Sequence, residues 1–318
     1  MSSLENVLAA VEASVVLVQT APGVWQGPNV ALPGYRRLFG GQLLAQAIAA
    51  AVGGAADSAK IVRSLHLVFT AEGQPEAPVA WTVDAVHEGR TFATRSVTAR
   101  QGPRVLATGV VSLHVPDVAA GKGARVLEHS IAVPFVPAPA EVPAIDPLGA
   151  MALETRPVSL RQPLAPAEPA EPVAAAPAAS VVGHEATALA LDGLAVGPPE
   201  LAVWMRAPRA PRSGAGPAGQ IAHQELLAYA SDITMMAAAM RPHAGVGFGS
   251  ADVTASAVTS HTISFHRAVR VDEWLLFVQE SPAAAGGRAY IRGGVFDESG
   301  AVVASCAQEV LIRVVGAR

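Results

Sequence analysis

Apolar residues recur at helical spacing over residues 220–240, and Pro242 follows shortly afterwards. The stretch is rich in strong helix formers and the proline ends it, so the pattern predicts a single helix. Asp232 lies in the middle of that helix, and its neighbours one turn away are apolar or aromatic. Because neither face resembles a solvated surface, we expect the helix to be buried nearly all round.

A carboxylate in such a helix is costly unless it is paired, hydrogen-bonded or protonated. Ionisable groups that are retained in apolar surroundings cluster at functional sites, which makes Asp232 a candidate catalytic residue. The alternative is that Asp232 only satisfies a neighbouring backbone group or an arginine.

A second buried helix is predicted at residues 43–52, directly after Gly40-Gly41-Gln42. Glycines allow a close approach to the backbone, and the free N–H groups of a helix N-terminus suit an anion or a developing oxyanion. We therefore take Gly40, Gly41 and Gln42 as candidate substrate contacts, although a glycine pair before a helix more often serves packing.

After each helix the period of the pattern changes to the alternation of β-strands. The predicted strands are 61–69, 79–88, 91–100 and 104–115 in the first half, and 258–266, 273–281, 288–296 and 301–314 in the second. Matching residues of the two halves, such as Trp81 and Trp274, lie 193 to 198 positions apart. One helix followed by strands, occurring twice, indicates a duplicated α+β unit.

Alanine and proline dominate the chain between these halves. Such composition favours extended linker segments, although Pro157 fits an edge strand over residues 153–160. We expect an N-terminal unit at 1–116, a linker at 117–151 and a C-terminal unit at 152–318, with an Ala/Pro-rich insertion at about 163–199.

Strand alternation places Gln308 on the same face of the last strand as Val310 and Ile312. A buried amide is therefore expected on that face. On strand 258–266, the same alternation assigns Ser260 to a polar face and Ile263 to an apolar one.

The composition narrows the partners of the protein. Of the 318 residues 51% are hydrophobic, and the net charge of −4 argues against a nucleic-acid partner held by phosphate contacts. Cys306 is the single cysteine, so an intrachain disulfide or a multi-cysteine metal site is excluded. The nine histidines show no dense ligand pattern, so no metal is expected. No apolar run approaches the ~20 residues of a membrane span, and we expect a cytoplasmic protein.

Several of these motifs together resemble the type II acyl-CoA thioesterases (TesB-like). The carriers are Phe39-Gly40-Gly41-Gln42, Gly89-Arg90-Thr91-Phe92-Ala93-Thr94-Arg95, Tyr229-Ala230-Ser231-Asp232, Phe265-His266-Arg267 and Ala304-Ser305-Cys306-Ala307-Gln308-Glu309. The resemblance implies a double hotdog fold, in which each of two tandem units wraps an antiparallel sheet around a central helix.

The resemblance also implies a site in which an aspartate, a serine or threonine and a glutamine hold the water that attacks a thioester. Asp232 and Gln308 match the first and third of these residues, whereas Val258 stands where the hydroxyl is expected. Thr259 and Ser260 are the candidates to replace that hydroxyl. Ser260 shares the expected strand face of Val258, and Thr259 reaches it only if a bulge intervenes.

The function that follows is hydrolysis of fatty-acyl-CoA to free fatty acid and CoA by direct attack of water, with no cofactor. His66 is added to the candidate substrate contacts, with a structural role as its alternative. Because large sheets leave edges to cover, we expect a homo-oligomer.

Two alternatives remain open at this stage. One is a hotdog-type dehydratase or another acyl-thioester enzyme that uses His261 or His266 as its base. The other is a catalytically weakened hotdog protein that binds acyl-CoA or acyl-carrier thioesters, which Val258 motivates. A covalent serine hydrolase is disfavoured because the chain has no Gly-x-Ser-x-Gly motif.

Overall fold

The computed structural model describes residues 3–32, 35–53, 59–116, 127–145, 152–158, 196–212, 216–247 and 254–314. Within these ranges the helices are α1 (Ser3–Ser14), α2 (Gly40–Val52), α3 (Gly216–Ser231) and α4 (Met235–Met240), with a short 3-10 helix at Pro139–Glu141. The strands are β1 (Val18–Ala21), β2 (Val24–Gly27), β3 (Ile61–Phe69), β4 (Val79–Glu88), β5 (Phe92–Gln101), β6 (Arg104–His114), β7 (Glu154–Val158), β8 (Glu200–Arg206), β9 (Thr254–Phe265), β10 (Leu275–Ala285), β11 (Arg288–Phe296) and β12 (Val302–Val314).

The strands of the described ranges form one antiparallel sheet, in the order β1-β2-β4-β5-β6-β3-β9-β12-β11-β10-β8-β7. This order reads as two copies of one pattern, related by a pseudo-two-fold axis where β3 pairs with β9. The central pairing runs from Ser64 opposite Ser264 to Val68 opposite Ser260. The duplicated α+β unit that the pattern predicted and the double hotdog fold that the resemblance implied are both confirmed.

The two halves share an irregularity as well as a strand order. In β3 the register against β6 shifts between Val62 and Ser64, and in β9 the register against β12 shifts between Val258 and Ser260. Each shift is a β-bulge with one extra residue, Arg63 in the first half and Thr259 in the second. Recurrence of the bulge at matching positions supports the duplication.

Helices α2 and α3 lie against each other and pack on the sheet, α2 against β3 to β6 and α3 against β3 and β9. All residues from Gly41 to Ala51 are buried, which the alanine-rich sequence of α2 permits. The first residues of α2 lie against the end of α3, because a Cβ at Gly41 would collide with the carbonyl oxygen of Tyr229. The two helices are therefore antiparallel.

Two buried glutamines fasten α2 to the segment before it. The side-chain oxygen of Gln42 accepts the Val30 N–H at 2.7 Å, and its nitrogen donates to Asn29 Oδ1 at 2.8 Å. Gln46 donates to the carbonyl oxygens of Ser14 and Pro28, each at 3.0 Å. Both amides are therefore used in structure, as buried amides usually are.

The single helix predicted over residues 220–240 is wrong in one respect, because it is interrupted at Asp232. Helix α3 ends at Ser231 and α4 begins at Met235. Ser231 Oγ donates to the Ala228 carbonyl oxygen at 2.8 Å, and the Ile233 N–H bonds to the Ala230 carbonyl oxygen at 3.1 Å. These three-residue closures tighten the chain, and propensity alone does not reveal them.

Residues 127–145, within the predicted linker, pack against the C-terminal half. Trp204 Nε1 donates to the Pro137 carbonyl oxygen at 3.0 Å, and Arg156 Nη1 donates to those of Pro139 and Val142, both at 2.7 Å. Strand β7 lies at the edge of the sheet, as its proline predicted. The domain limits stay a prediction, and residues 163–195 of the predicted insertion lie outside the described residues.

None of the helices in the described ranges has the length and apolar character needed to cross a membrane. The same ranges contain no group of three or more histidine, cysteine, aspartate or glutamate side chains placed to hold a metal ion.

Candidate active site

Asp232 follows α3 directly, and its side chain is only 3% exposed. One carboxylate oxygen, Oδ1, accepts a hydrogen bond from Gln308 Nε2 on β12 at 2.6 Å. The carboxylate also accepts the backbone N–H of Gly41. The site thus joins the start of α2, the end of α3 and the last strand.

The glycine pair makes this approach possible. A Cβ on Gly40 would lie 2.6 Å from Asp232 Oδ2, closer than real contacts allow. The Gly41 N–H faces the carboxylate, whereas the Gln42 N–H bonds to the Phe39 carbonyl oxygen at 3.1 Å. Gly40 and Gly41 are therefore at the predicted site, and α2 presents the positive end of its dipole there.

The environment of Asp232 suits a general base. Burial raises the pKa of its carboxyl to about 7, while the Gly41 N–H and the Gln308 amide favour the charged form and act in the opposite direction. A base whose pKa lies near neutral pH is half ionised there and accepts a proton readily.

A chain of hydrogen bonds fixes the amide of Gln308. Ser231 Oγ donates to the backbone and lies 2.9 Å from His261 Nε2. His261 Nδ1 lies 3.2 Å from Gln308 Nε2. The hydroxyl proton of Ser231 is already used, so His261 Nε2 is protonated, and its Nδ1 accepts from Gln308. Both amide protons of Gln308 are then engaged, one by His261 and one by Asp232.

His261 is neutral in this arrangement. Burial, assisted by the charge of His66, lowers its pKa to about 3. The 3.8 Å separation of His261 Nδ1 from Asp232 Oδ1 is therefore a contact of a neutral ring with the carboxylate and not an ion pair. A neutral imidazole without a free acceptor nitrogen does not fit the alternative in which His261 is the base.

The oxygen of the Gln308 amide remains available to a ligand. Gln308 Oε1 is buried and has no hydrogen-bond partner among the described residues. An unpaired buried acceptor is costly, and a water molecule that donates to it would remove that cost. Such a water would be oriented by Gln308 Oε1, and the neighbouring Asp232 carboxylate would activate it by accepting a proton.

Three aromatic side chains pack together near Asp232. Phe39 packs edge-on against Tyr229 at 5.1 Å between ring centroids and against Tyr35 at 6.2 Å. Burial, and to a smaller extent the charge of Asp232, raises the pKa of both tyrosines, to about 12 for Tyr35. The Tyr229 hydroxyl is buried, with no hydrogen-bond partner among the described residues.

The bulge at Thr259 decides which side chains of β9 face the site. Val258 is partly buried against the core, and His261 is fully buried, so both lie on the inner face. Thr259 Oγ1 donates to the Glu309 carbonyl oxygen at 3.1 Å, and Ser260 Oγ to Glu309 Oε2 at 3.2 Å. Neither hydroxyl is brought to Asp232, because the extra residue at 259 puts Val258 and Ser260 on opposite faces, and Ser260 is on the outer one.

Two of the predicted substrate contacts are placed elsewhere. Gln42 directs its amide to Asn29 and Val30. His66 is exposed on the outer face of the sheet, where its Nδ1 lies 2.7 Å from Thr262 Oγ1. Of the predicted set, the structure gathers Asp232, Gln308, Gly40 and Gly41.

His261 and Ser231 belong to this site, although the sequence analysis gave neither a part beside Asp232. Ser231 stands in the motif Tyr229-Ala230-Ser231-Asp232, and His261 differs from its neighbours as a histidine beside apolar Ile263 on one strand face. Strict alternation with Ile263 and Phe265 already places His261 on the buried face, so parity was the signal that could have found it.

Family comparisons agree with this fold. Residues 31–114 match the acyl-CoA thioesterase N-terminal domain, and residues 159–312 match the acyl-CoA thioesterase C-terminal domain. The solved structure of an acyl-CoA thioesterase II, TesB2, from Mycobacterium marinum superposes with a TM-score of 0.70 at 25% identity, over 97% of this chain and 99% of that one.

Curated relatives point to the same class. Acyl-CoA thioesterase 2 of Haemophilus influenzae is 30% identical over 280 residues, which cover 88% of this chain and 89% of the relative. Human acyl-coenzyme A thioesterase 8 is 29% identical over 288 residues, which cover 88% and 81%. The protein is a double hotdog thioesterase. More particularly, the chain belongs to the type II acyl-CoA thioesterase family, as the resemblance implied.

Proposed function

We propose that Asp232 is the general base and Gln308 the orienting residue in the hydrolysis of fatty-acyl-CoA thioesters. Membership of the family supports the reaction class. The observation that carries the assignment is the 2.6 Å bond from Gln308 Nε2 to the buried Asp232, which leaves Gln308 Oε1 free beside it. A water between the two oxygens would donate one proton to each.

The reaction needs no covalent intermediate on the protein. Asp232 takes one proton from the water as the water oxygen bonds to the thioester carbonyl carbon. The N-terminal end of α2 at Gly40 stabilises the resulting oxyanion through its dipole. The intermediate then collapses, the carbon–sulfur bond breaks, and the CoA sulfur leaves with the proton from Asp232.

The remaining assignments belong to the same proposal. CoA enters as part of the substrate, and the chain's own residues supply the chemistry without a cofactor. The division into units at 1–116 and 152–318 follows the palindromic sheet order, in which both units contribute to the site. A homo-oligomeric assembly and a cytoplasmic location stay predictions.

The test is release of free CoA from short, medium and long acyl-CoAs by the parent, Asp232→Asn and Gln308→Ala. We expect a loss of about 100-fold to 10,000-fold in kcat for the first variant and about 100-fold for the second. Ser260→Ala is the matched control, since its hydroxyl bonds to Glu309 on the outer face. Equal rates for the parent and Asp232→Asn would remove the general base.

The apolar side chain of Val258 on the inner face favours one second candidate, a protein that binds acyl-CoA with hydrolysis largely lost. The same experiment separates the two functions. A parent that binds acyl-CoA and releases no CoA with any chain length would establish the binding function.

A further inference from the structure

A cavity of about 390 Å³ lies at the other end of the α2–α3 pair. Val52, the last residue of α2, and Ile221, in the second turn of α3, line it together with Leu113 of β6. The described residues around it do not include Asp232, Gln308 or His261. Its volume falls within the range of small-molecule pockets, about 300–1,000 Å³.

The pseudo-two-fold axis relates this cavity to the candidate active site. The active site combines the start of α2, the end of α3 and β12. The cavity combines the start of α3, the end of α2 and β6, which is the counterpart of β12 in the sheet order. Val111 of β6 occupies the position that corresponds to Gln308, so the water-orienting amide has no counterpart here. We therefore look for binding in this cavity and not for hydrolysis.

Glu225 gives the cavity a polar group in apolar surroundings. Glu225 is 8% exposed and lines the cavity. Its side chain has no hydrogen bond or ion pair with any described residue. Burial raises the pKa of its carboxyl to about 8, so the group keeps its proton at neutral pH. A protonated carboxyl has one donor and an acceptor oxygen, and in Glu225 no described side chain uses either, so both are open to a ligand in the cavity.

The charged residues that line the cavity select the kind of ligand. Lys60, Arg212 and Glu12 line it. Lys60 contacts Glu88 at 2.5 Å, and the Glu12 carboxylate is already paired with Arg209 at 2.6 Å and lies 4.0 Å from Arg212. The two cations, Lys60 and Arg212, repel a positively charged ammonium head, so an amine is disfavoured as the ligand. A ligand with a carboxylate head would be attracted by these cations and could accept the hydrogen bond that the protonated Glu225 carboxyl donates.

We propose that this cavity is a second, non-catalytic binding site for an aliphatic carboxylic acid. The Glu225 carboxyl pairs with the carboxyl head of the ligand, and the aliphatic chain packs against apolar residues such as Val52, Leu113 and Leu226. The site is independent of the proposed reaction, because it uses none of the residues beside Asp232.

Calorimetric titration of the whole protein with decanoic acid tests this site. The variants are Glu225→Leu, which removes the polar head, Glu225→Gln, which keeps a donor and an acceptor, and Ala222→Leu, which narrows the cavity. We expect Glu225→Leu and Ala222→Leu to weaken one binding event at least 10-fold. Glu225→Gln and the active-site variant Asp232→Asn should leave that event within about 3-fold of the parent, since hydrogen bonding in the cavity is preserved.

Decylamine and decane, titrated into the parent, test the choice of head group. Tighter binding of decylamine than of decanoic acid through Glu225 would contradict the carboxylic-acid assignment. Decanoic acid that binds all variants equally, or none, would overturn the site. A crystal structure with 10-bromodecanoic acid, whose bromine is located by anomalous scattering, decides the outcome if a variant fails to fold. Loss of CoA release without loss of this binding would concern the proposed function alone.

Discussion

Gln308 and Asp232 are 76 positions apart in the chain and share a hydrogen bond of 2.6 Å between the Gln308 amide nitrogen and Asp232 Oδ1. The bond stabilises the ionised carboxylate against the burial that raises its pKa. It also holds the unpaired oxygen of the amide beside that carboxylate. One contact therefore sets both the charge of the base and the position of the acceptor, and each has a measurable consequence.

The pH profile of kcat/KM should report Asp232. The base works as a carboxylate, so activity should rise with pH, with an inflection near the pKa of about 7, and fall below it. Because the Gln308 amide lowers that pKa, Gln308→Ala should move the inflection to higher pH. Ser260→Ala is the control and should keep the parent's profile. If Gln308→Ala leaves the inflection unchanged, the Gln308 amide does not affect the pKa of the group that titrates.

Asp232→Asn should stabilise the fold at alkaline pH. The folded carboxyl has its pKa raised from near 4 to about 7, so the unfolded chain loses its proton first, and stability falls as pH rises through this window. Asparagine carries no charge and keeps an acceptor for the Gly41 N–H. Thermal melts should therefore show the variant above the parent at pH 8, with a gap that narrows towards pH 5. A constant gap would mean that Asp232 does not titrate there.

Gly40→Ala should impair the site while preserving the helix. The added Cβ would lie 2.6 Å from Asp232 Oδ2, which forces the carboxylate to move. A displaced base costs about 100-fold in rate. Gly53→Ala at the end of the same helix is the matched control, since the nearest atoms to its Cβ would belong to the Trp25 ring, at 3.1 Å. CoA release measured for both variants tests the expectation, and equal rates would contradict it.

Ser231→Ala should disturb the amide of Gln308 through His261. The variant removes the oxygen that accepts from His261 Nε2, at 2.9 Å. If the proton then moves to Nδ1, the Gln308 amide turns its oxygen to the ring and loses one N–H bond to Asp232. We expect roughly a 10-fold lower kcat, with a loss of about 1–3 kcal/mol in the free energy of unfolding.

The pH profile distinguishes this effect from simple destabilisation. A turned amide should move the inflection of Ser231→Ala to higher pH, in the direction expected for Gln308→Ala. A variant that only unfolds more easily would keep the inflection of the parent.

Val258→Thr should add a hydroxyl to the inner face at the position where the family resemblance expects one. A second polar group that positions the water should raise kcat about 10-fold. The hydroxyl is also introduced beside the apolar core, so the melting temperature should fall. CoA release by Val258→Thr that stays at the parent's rate would show that the residue lies outside the reacting geometry.

Much of the fold could be predicted from alternation and repetition. The eight principal strands, the duplicated order and the edge position of β7 follow from periodicity and from Pro157. The break at Asp232 could not be predicted, because it depends on the hydrogen bond of Ser231 to a backbone carbonyl. Helix propensities are similar on both sides of that break.

The candidate site could be predicted for the residues whose sequence neighbours and strand or helix face both indicated a buried polar group. Asp232 and Gln308 each stood out as polar residues among apolar neighbours. Ser260 lies on the face opposite Ile263, as strict alternation predicts, but the bulge at Thr259 places Val258 on the inner face, so the expectation that Ser260 shares the face of Val258 was wrong. The bulge shifts the register by one residue, and no pattern in the sequence reveals it. The face of Val258 could therefore not be predicted.

The two halves that contribute to the site belong to one polypeptide and are joined by the β3–β9 pairing. Gly41 comes from the first half, and Asp232 and Gln308 come from the second. Two separate chains would have to meet in solution to bring such groups together, with an affinity that limits activity on dilution. Here the encounter is intramolecular, so assembly of this pocket does not depend on protein concentration, and activity per molecule should hold at nanomolar dilution.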